Sequence, residues 1–281
     1  MQKMSDPITI TAQKLIGEQE NKDNPAPVSG NEYADRTLCT ALDIGENMLK
    51  CGGEIHRVED AISRIGKAYG AVHVEVFTIP SLIVAAVRMK DGTYSSQVRR
   101  IYSSSRNLGK LEALNQISRE ICGKGLTFDE VQARIRELKS RKIHRLSIYL
   151  GAILGAGGFT IFFGGSIFDA IGAAIIGVLI TFIDRMPNPN INQMAHYVIS
   201  SFIVGVISML MLRFGMISAA DKTIIGAIML LVPGLALDTA LRDLLCGDII
   251  SGLFGLIQSL LLAVMIAVGL TVAIVMFGGT V

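Results

Sequence analysis

Between residues 54 and 69 the apolar positions Ile55, Val58, Ile62, Ile65 and Tyr69 recur at three- or four-residue intervals, the stripe of a helix packed on a core. A second helix is predicted over residues 37–50, set off from the first by Gly52-Gly53. The period then shortens. VHVEVF (residues 72–77) alternates as a half-buried strand does, residues 82–87 form the unbroken apolar run of a buried strand, and Asp91-Gly92 marks a hairpin turn into a strand over residues 93–102. Helical spacing returns over residues 108–121 and 128–142, the latter opened by Thr127 and Glu130 as a capping box. This order of elements predicts an α+β domain over residues 36–145, preceded by a polar tail at residues 1–35.

From residue 146 the polar positions almost vanish. Residues 146–168 carry no charge and are long enough to cross a bilayer at about 20 residues per crossing. Further spans are expected at residues 169–183, 193–212, 222–241 and 249–277, which gives an all-α membrane domain of five transmembrane helices over residues 146–281. The uncharged parts of the second and fourth cover only about 21–22 Å at 1.5 Å per residue, short of the ~30 Å hydrocarbon core. Reaching that thickness draws Asp169 into the second span, and Asp238 with Arg242 into the fourth.

The fourth span is the most informative. It reads IMLLVPGLALDTALRDLLCGDIISGL (residues 228–253), with the break Pro233-Gly234 followed by Asp238, Thr239, Arg242 and Asp243. At 100° per residue these four polar residues and Cys246 fall within a sector of about 140°, with leucines around the rest. Charges at membrane depth are costly enough to read as functional, and broken helices build the substrate sites of transporters. The alternative is a helix that ends near Leu237, leaving the charges in solvent.

Charge distribution sets the boundary and the orientation. Of 26 Lys+Arg and 24 Asp+Glu, only four and six lie beyond Arg145. The basic cluster Lys139, Arg141, Lys142 and Arg145 is expected to stay on the cytoplasmic side, so five spans leave the N-terminus cytoplasmic and Val281 outside, in a bacterial-type inner membrane. No charged n-region and apolar h-region open the chain, so no cleaved signal peptide is expected. The four cysteines, Cys39, Cys51, Cys122 and Cys246, lack metal-ligand spacing and are expected to be reduced.

Candidate chemistry outside the fourth span is thin. In GGEIHRVED, His56 and Asp60 share a helical face, but Glu54 with Arg57 and Asp60 with Arg64 are spaced as surface ion pairs. No phosphate loop, GxSxG elbow, HExxH or dinucleotide fingerprint is present, so no catalytic residue, metal or cofactor is assigned and direct ATP coupling is not expected. The loop MPNPNINQ (residues 186–193) stiffens a turn with Pro187 and Pro189 and offers Asn188 and Asn190 as uncharged hydrogen-bonding groups, or simply caps a helix. His196 lies near the start of the third span and is expected at the interface.

Three separated segments, GGEIHRVEDAISRIGKAYG (residues 52–70), RNLGKLEALNQISRE (106–120) and LVPGLALDTALRDLLCGDIISG (231–252), together resemble the threonine/serine exporter family. The resemblance runs from about Arg36 to the end of the chain. It implies a soluble domain joined to membrane helices, and the larger subunit of a split pair, since full-length members carry two related five-helix sets. Members often have Thr-Asn where Asp238-Thr239 stand here, and an Arg and a Glu where Gly255 and Gln258 stand. The resemblance therefore implies a proton-coupled secondary exporter of threonine or serine, with small dicarboxylates such as succinate as the alternative cargo. Its expected partners are the small-molecule substrate, membrane lipid and a second membrane subunit or another copy of the chain, and no nucleic acid. On the residues of this chain, the broken fourth span at Pro233-Gly234 is expected to line the cavity, where Arg242 pairs with Asp238 at rest and attracts a substrate carboxylate, while Asp238, Asp243 or Asp169 takes the proton or the substrate amine. A membrane-anchored enzyme or a regulatory module is the reading from another class.

Overall fold

A computed structural model describes residues 30–102, 105–140, 145–185 and 192–277. The tail expected before residue 30, Arg141 and Lys142 of the basic cluster, Asn188 and Asn190, and Val281 lie outside these residues. The chain divides into two compact units between Leu138 and Lys139.

In the first unit, helices α1 (Gly30–Lys50) and α2 (Ile55–Ala68) precede strands β1 (Ala71–Ile79), β2 (Leu82–Met89) and β3 (Tyr94–Arg100), then α3 (Leu108–Lys124) and α4 (Phe128–Ser140). The sheet is an antiparallel meander in the order β1-β2-β3, and its register aligns Phe77, Val84 and Val98 across the strands. Alternation puts Ile83, Ala85, Val87 and Met89 of β2 on the buried face. Against them pack Leu38, Leu42 and Met48 of α1 and the predicted stripe Ile55, Val58, Ile62 and Ile65 of α2. The two helices approach closely at Gly45, where an added Cβ would lie 2.5 Å from Ile62 Cδ1. Tyr69 ties the base of α2 to the start of α4: its hydroxyl donates to the Leu126 carbonyl at 2.8 Å, and its ring lies 4.5 Å from that of Phe128. Burial pushes the Tyr69 pKa up to about 12. The expected capping box is present, with Thr127 N–H donating to Glu130 at 2.9 Å. The surface ion pairs read from spacing also form, Arg57 to Glu54 at 3.2 Å and Arg64 to Asp60 at 2.5 Å.

The second unit is helical throughout its described residues: α5 (Arg145–Phe162), α6 (Ile167–Asp184), α7 (Gln193–Arg213), α8 (Ala220–Ile228), α9 (Gly234–Cys246) and α10 (Ile249–Phe277). Of the five expected spans, three, α6, α7 and α10, are long and apolar enough to cross a membrane. The first is shorter than expected, an apolar helix ending at Phe162, because Gly164 adopts φ 83° and turns the chain into α6. The fourth is two short helices on either side of the expected Pro233-Gly234 break. Pro233 has no N–H to continue α8, and α9 begins only at Gly234.

Small residues let these helices approach. An added Cβ on Gly226 of α8 would lie 2.7 Å from the Ala156 carbonyl of α5, and one on Gly205 of α7 would lie 2.6 Å from Ala273 of α10. Gly269, one turn before Ala273, meets Ser201, one turn before Gly205, so α7 and α10 cross through paired small-xxx-small steps. α8 packs against α5, α6 and α7, whereas α9 packs against α10. The break thus passes the chain from one group of helices to another.

Candidate functional site

At the break the last turn of α8 tightens, and the Ile228 carbonyl accepts from Leu231 N–H at 2.7 Å and Val232 N–H at 3.1 Å. Gly234 N–H then folds back onto the Val232 carbonyl at 2.8 Å, and the Pro233 carbonyl starts α9 by accepting from Ala236 and Leu237. Among the described residues no backbone N–H reaches the carbonyls of Met229, Leu230 or Leu231. Free carbonyls in otherwise apolar sequence are tolerable where they face protein polar groups or a water-filled cavity. The break is fixed in place by Leu230, whose side chain occupies the notch left by Gly155 of α5 and Gly177 of α6.

One turn into α9, Arg242 Nε lies 3.3 Å from Asp238 Oδ2, the pairing expected from their i,i+4 spacing. Their side chains remain 53% and 59% exposed. Asp243 is the opposite case, only 6% exposed on the face that carries Ala240. That face meets α10 closely: an added Cβ on Gly252 would lie 2.8 Å from the Ala240 carbonyl, and one on Gly255 2.9 Å from Ala240 Cβ. A larger residue at position 255 therefore requires α9 to move. Thr239 donates its hydroxyl to the Leu235 carbonyl at 2.8 Å, a bond within its own helix.

Asp169 stands apart from this group. It lies inside α6, one turn from its start, as its sequence position required, and is 1% exposed. Oδ2 accepts from the Ser166 N–H and hydroxyl at 2.8 and 2.7 Å, completing a capping box. Oδ1 accepts from the N–H groups of Ser218 and Ala219 at 2.6 and 2.9 Å. With four donors on two oxygens, this carboxylate fastens the start of α6 to the segment leading into α8.

Two features were missed by the sequence reading. His196 Nε2 pairs with Asp184 Oδ1 at 2.6 Å, clasping the end of α6 to the start of α7 across a twelve-residue separation that carries no periodic signal. The hydroxyls of Ser200 and Ser208 are buried in α7 with no hydrogen-bond partner among the described residues.

A sequence profile of the family described as "Putative threonine/serine exporter" matches residues 40–277. Among curated proteins, the "Probable succinate transporter subunit YjjP" of Klebsiella aerogenes is 28% identical over 239 residues, covering 82% of this chain and 90% of that protein. The "Probable threonine/serine exporter" of Mycobacterium tuberculosis is 23% identical over 272 residues, covering 89% of this chain and 50% of its own length. This chain thus spans nearly all of the first relative and half of the second. No solved structure matches it.

Proposed function

The chain belongs to the threonine/serine exporter family, and from that premise we propose that it is one half of a secondary-active exporter of small amino acids, threonine or serine foremost. Its pathway is completed in the membrane by a second five-helix set. The carrying observation is the Asp238–Arg242 pair, half exposed one turn beyond a helix break. Charged residues facing hydrocarbon at mid-membrane cost about 2.5–3.5 kcal/mol each even on insertion scales, so an outward-facing pair is turned to a water-filled cavity or to a partner chain. In transporters built from repeats, the substrate site lies where the repeats meet.

The charges favour a zwitterion. Arg242 suits a carboxylate and Asp238 an ammonium, whereas a dicarboxylate would meet repulsion at Asp238. The break adds the positive end of α9 and the free carbonyls of residues 229–231, which suit the same two groups. Asp238 and Asp243 remain the candidates for the coupling proton, while the four donors on Asp169 favour a structural role for it.

The reading is tested by counterflow of labelled threonine, serine and succinate into preloaded liposomes that hold the assembled exporter. Exchange of threonine or serine ahead of succinate is expected. Exchange of succinate alone moves the cargo to dicarboxylates, and exchange of none removes the exporter reading.

The proposed orientation, with the soluble unit cytoplasmic and five crossings, rests on the basic cluster from Lys139 to Arg145. In a cysteine-free background, Thr280→Cys is expected to react with an impermeant maleimide from outside the cell. Labelling from the cytoplasmic side alone rules out an odd number of crossings.

A further inference from the structure

The segments GGEIHRVEDAISRIGKAYG and RNLGKLEALNQISRE, which the transport reading leaves without a role, form the two walls of a single cavity in the soluble unit. On α2, Arg57, Asp60 and Arg64 follow an i, i+3, i+7 spacing; on α3, Glu112, Asn115 and Arg119 repeat it. That spacing keeps each triplet on one face of its helix. The apolar faces of the same helices, with Ile55, Val58 and Ile62 on α2 and Leu114, Ile117 and Ile121 on α3, are buried in the core, so both polar rows are held at the surface by packing they do not take part in. The space between them is about 480 Å³, within the range of about 300–1,000 Å³ typical of small-molecule sites.

The helices run side by side in the same direction. Gly53, just before α2, lies against Leu111 near the start of α3, and the charges of Asp60 and Arg64 act on Cys122 near its end. One end of the cavity therefore holds Arg119 and Arg64, the latter with its partner Asp60, and the other holds Arg57 and Glu112. Arg57 and Arg64 each engage a carboxylate of their own helix, Glu54 and Asp60, and keep further N–H groups for another acceptor. Among the described residues neither Arg119 nor Glu112 forms an ion pair, although a cavity of opposite charges would ordinarily close on itself. Ser118, 4% exposed, lines the wall beside Arg119, and Leu108 and Leu111 form an apolar patch at the far end.

We propose that this cavity binds a small organic anion, with its carboxylate or phosphate head between Arg64 and Arg119 and a hydroxyl- or amine-bearing tail toward Glu112 and Asn115. A guanidinium fork matches either head in a bidentate manner, and an unpaired arginine at a cavity wall is free to do so without first breaking a bond. Glu112 repels an anionic head at its own end and so fixes the ligand's direction. All of the residues that line the cavity belong to the first unit, and a unit that binds a metabolite there gives the proposed exporter an input other than its cargo.

Two probes matched in everything but the head distinguish the sources of the anion: glycerate and glycerol 3-phosphate, titrated calorimetrically into the full-length protein in nanodiscs, with glycerol as the headless control. Saturable binding of at least one probe and none of glycerol is expected, the preferred head identifying carboxylate or phosphate. Arg119→Gln is expected to weaken binding at least tenfold, and Arg119→Lys, which keeps the charge and loses the fork, by less. Because Arg119 holds no ion pair, both variants are expected to melt within a few degrees of the parent, which separates loss of the site from loss of the fold. Arg242→Ala in α9 should leave the affinity within twofold. The proposal is overturned by absence of binding of either probe at millimolar concentration, by binding that Arg119→Gln leaves intact, or by binding that Arg242→Ala removes.

Discussion

Asp238→Asn and Arg242→Ala are each expected to bring amino-acid counterflow down at least a hundredfold, to the level of empty liposomes, whereas Glu75→Gln on the outer surface of β1 leaves it within twofold. The size of the effect follows from where the pair sits. In bulk water an exposed i,i+4 pair contributes only about 0–1 kcal/mol, and losing one partner would scarcely be felt. In a site closed by a second set of helices, removing one partner strands the other charge at a cost of about 3–5 kcal/mol. At about 1.4 kcal/mol per factor of ten, the lower end of that range already exceeds a hundredfold. The two environments therefore differ by enough to be told apart at matched protein levels. Parental rates from both variants would mean that the polar face of α9 is a solvated helix end and that the pathway lies elsewhere.

The first unit was legible where periodicity is strong. Ile55, Val58, Ile62 and Ile65 announced α2, and the alternation around β1 and β2 announced the sheet. The start of α1 was not legible, since GNEYADR has no apolar period. That turn is held by tertiary contacts, with Ala34 fully buried and the Tyr33 ring 5.5 Å from Phe128. In the membrane unit the difficulty is reversed: uniformly apolar sequence marks that a helix exists but not where it stops. The end of α5 is set by the backbone of Gly164, which no periodicity marks, whereas the split between α8 and α9 falls at the Pro233-Gly234 break read from the sequence.

The candidate site shows the same limits. The Asp238–Arg242 pair was readable from spacing alone, but its exposure was not, because sequence does not say which face of α9 meets α10. For Asp169 two signals competed: Ser166-Ile167-Phe168-Asp169 is a capping pattern, and that box forms, while the shortage of apolar length pointed to a pathway group. The clasp between Asp184 and His196 left no trace in the sequence, since the two residues meet only when α6 and α7 pack.

The central claim is that this chain is half of a pathway. α8 and α9 have nine and 13 residues, too short to cross a membrane singly at 1.5 Å per residue, and the Asp238 and Arg242 side chains of α9 remain 59% and 53% exposed. A pathway bounded on one side only cannot hold a substrate away from bulk lipid and water. The most direct measurement is counterflow of labelled threonine in liposomes carrying the chain as a verified monomer, set beside liposomes in which it is joined by a second five-helix set, either a distinct subunit or another copy of itself. Flux at the background level from the monomer and robust exchange from the assembled form is the predicted result; full exchange from the monomer would contradict the account.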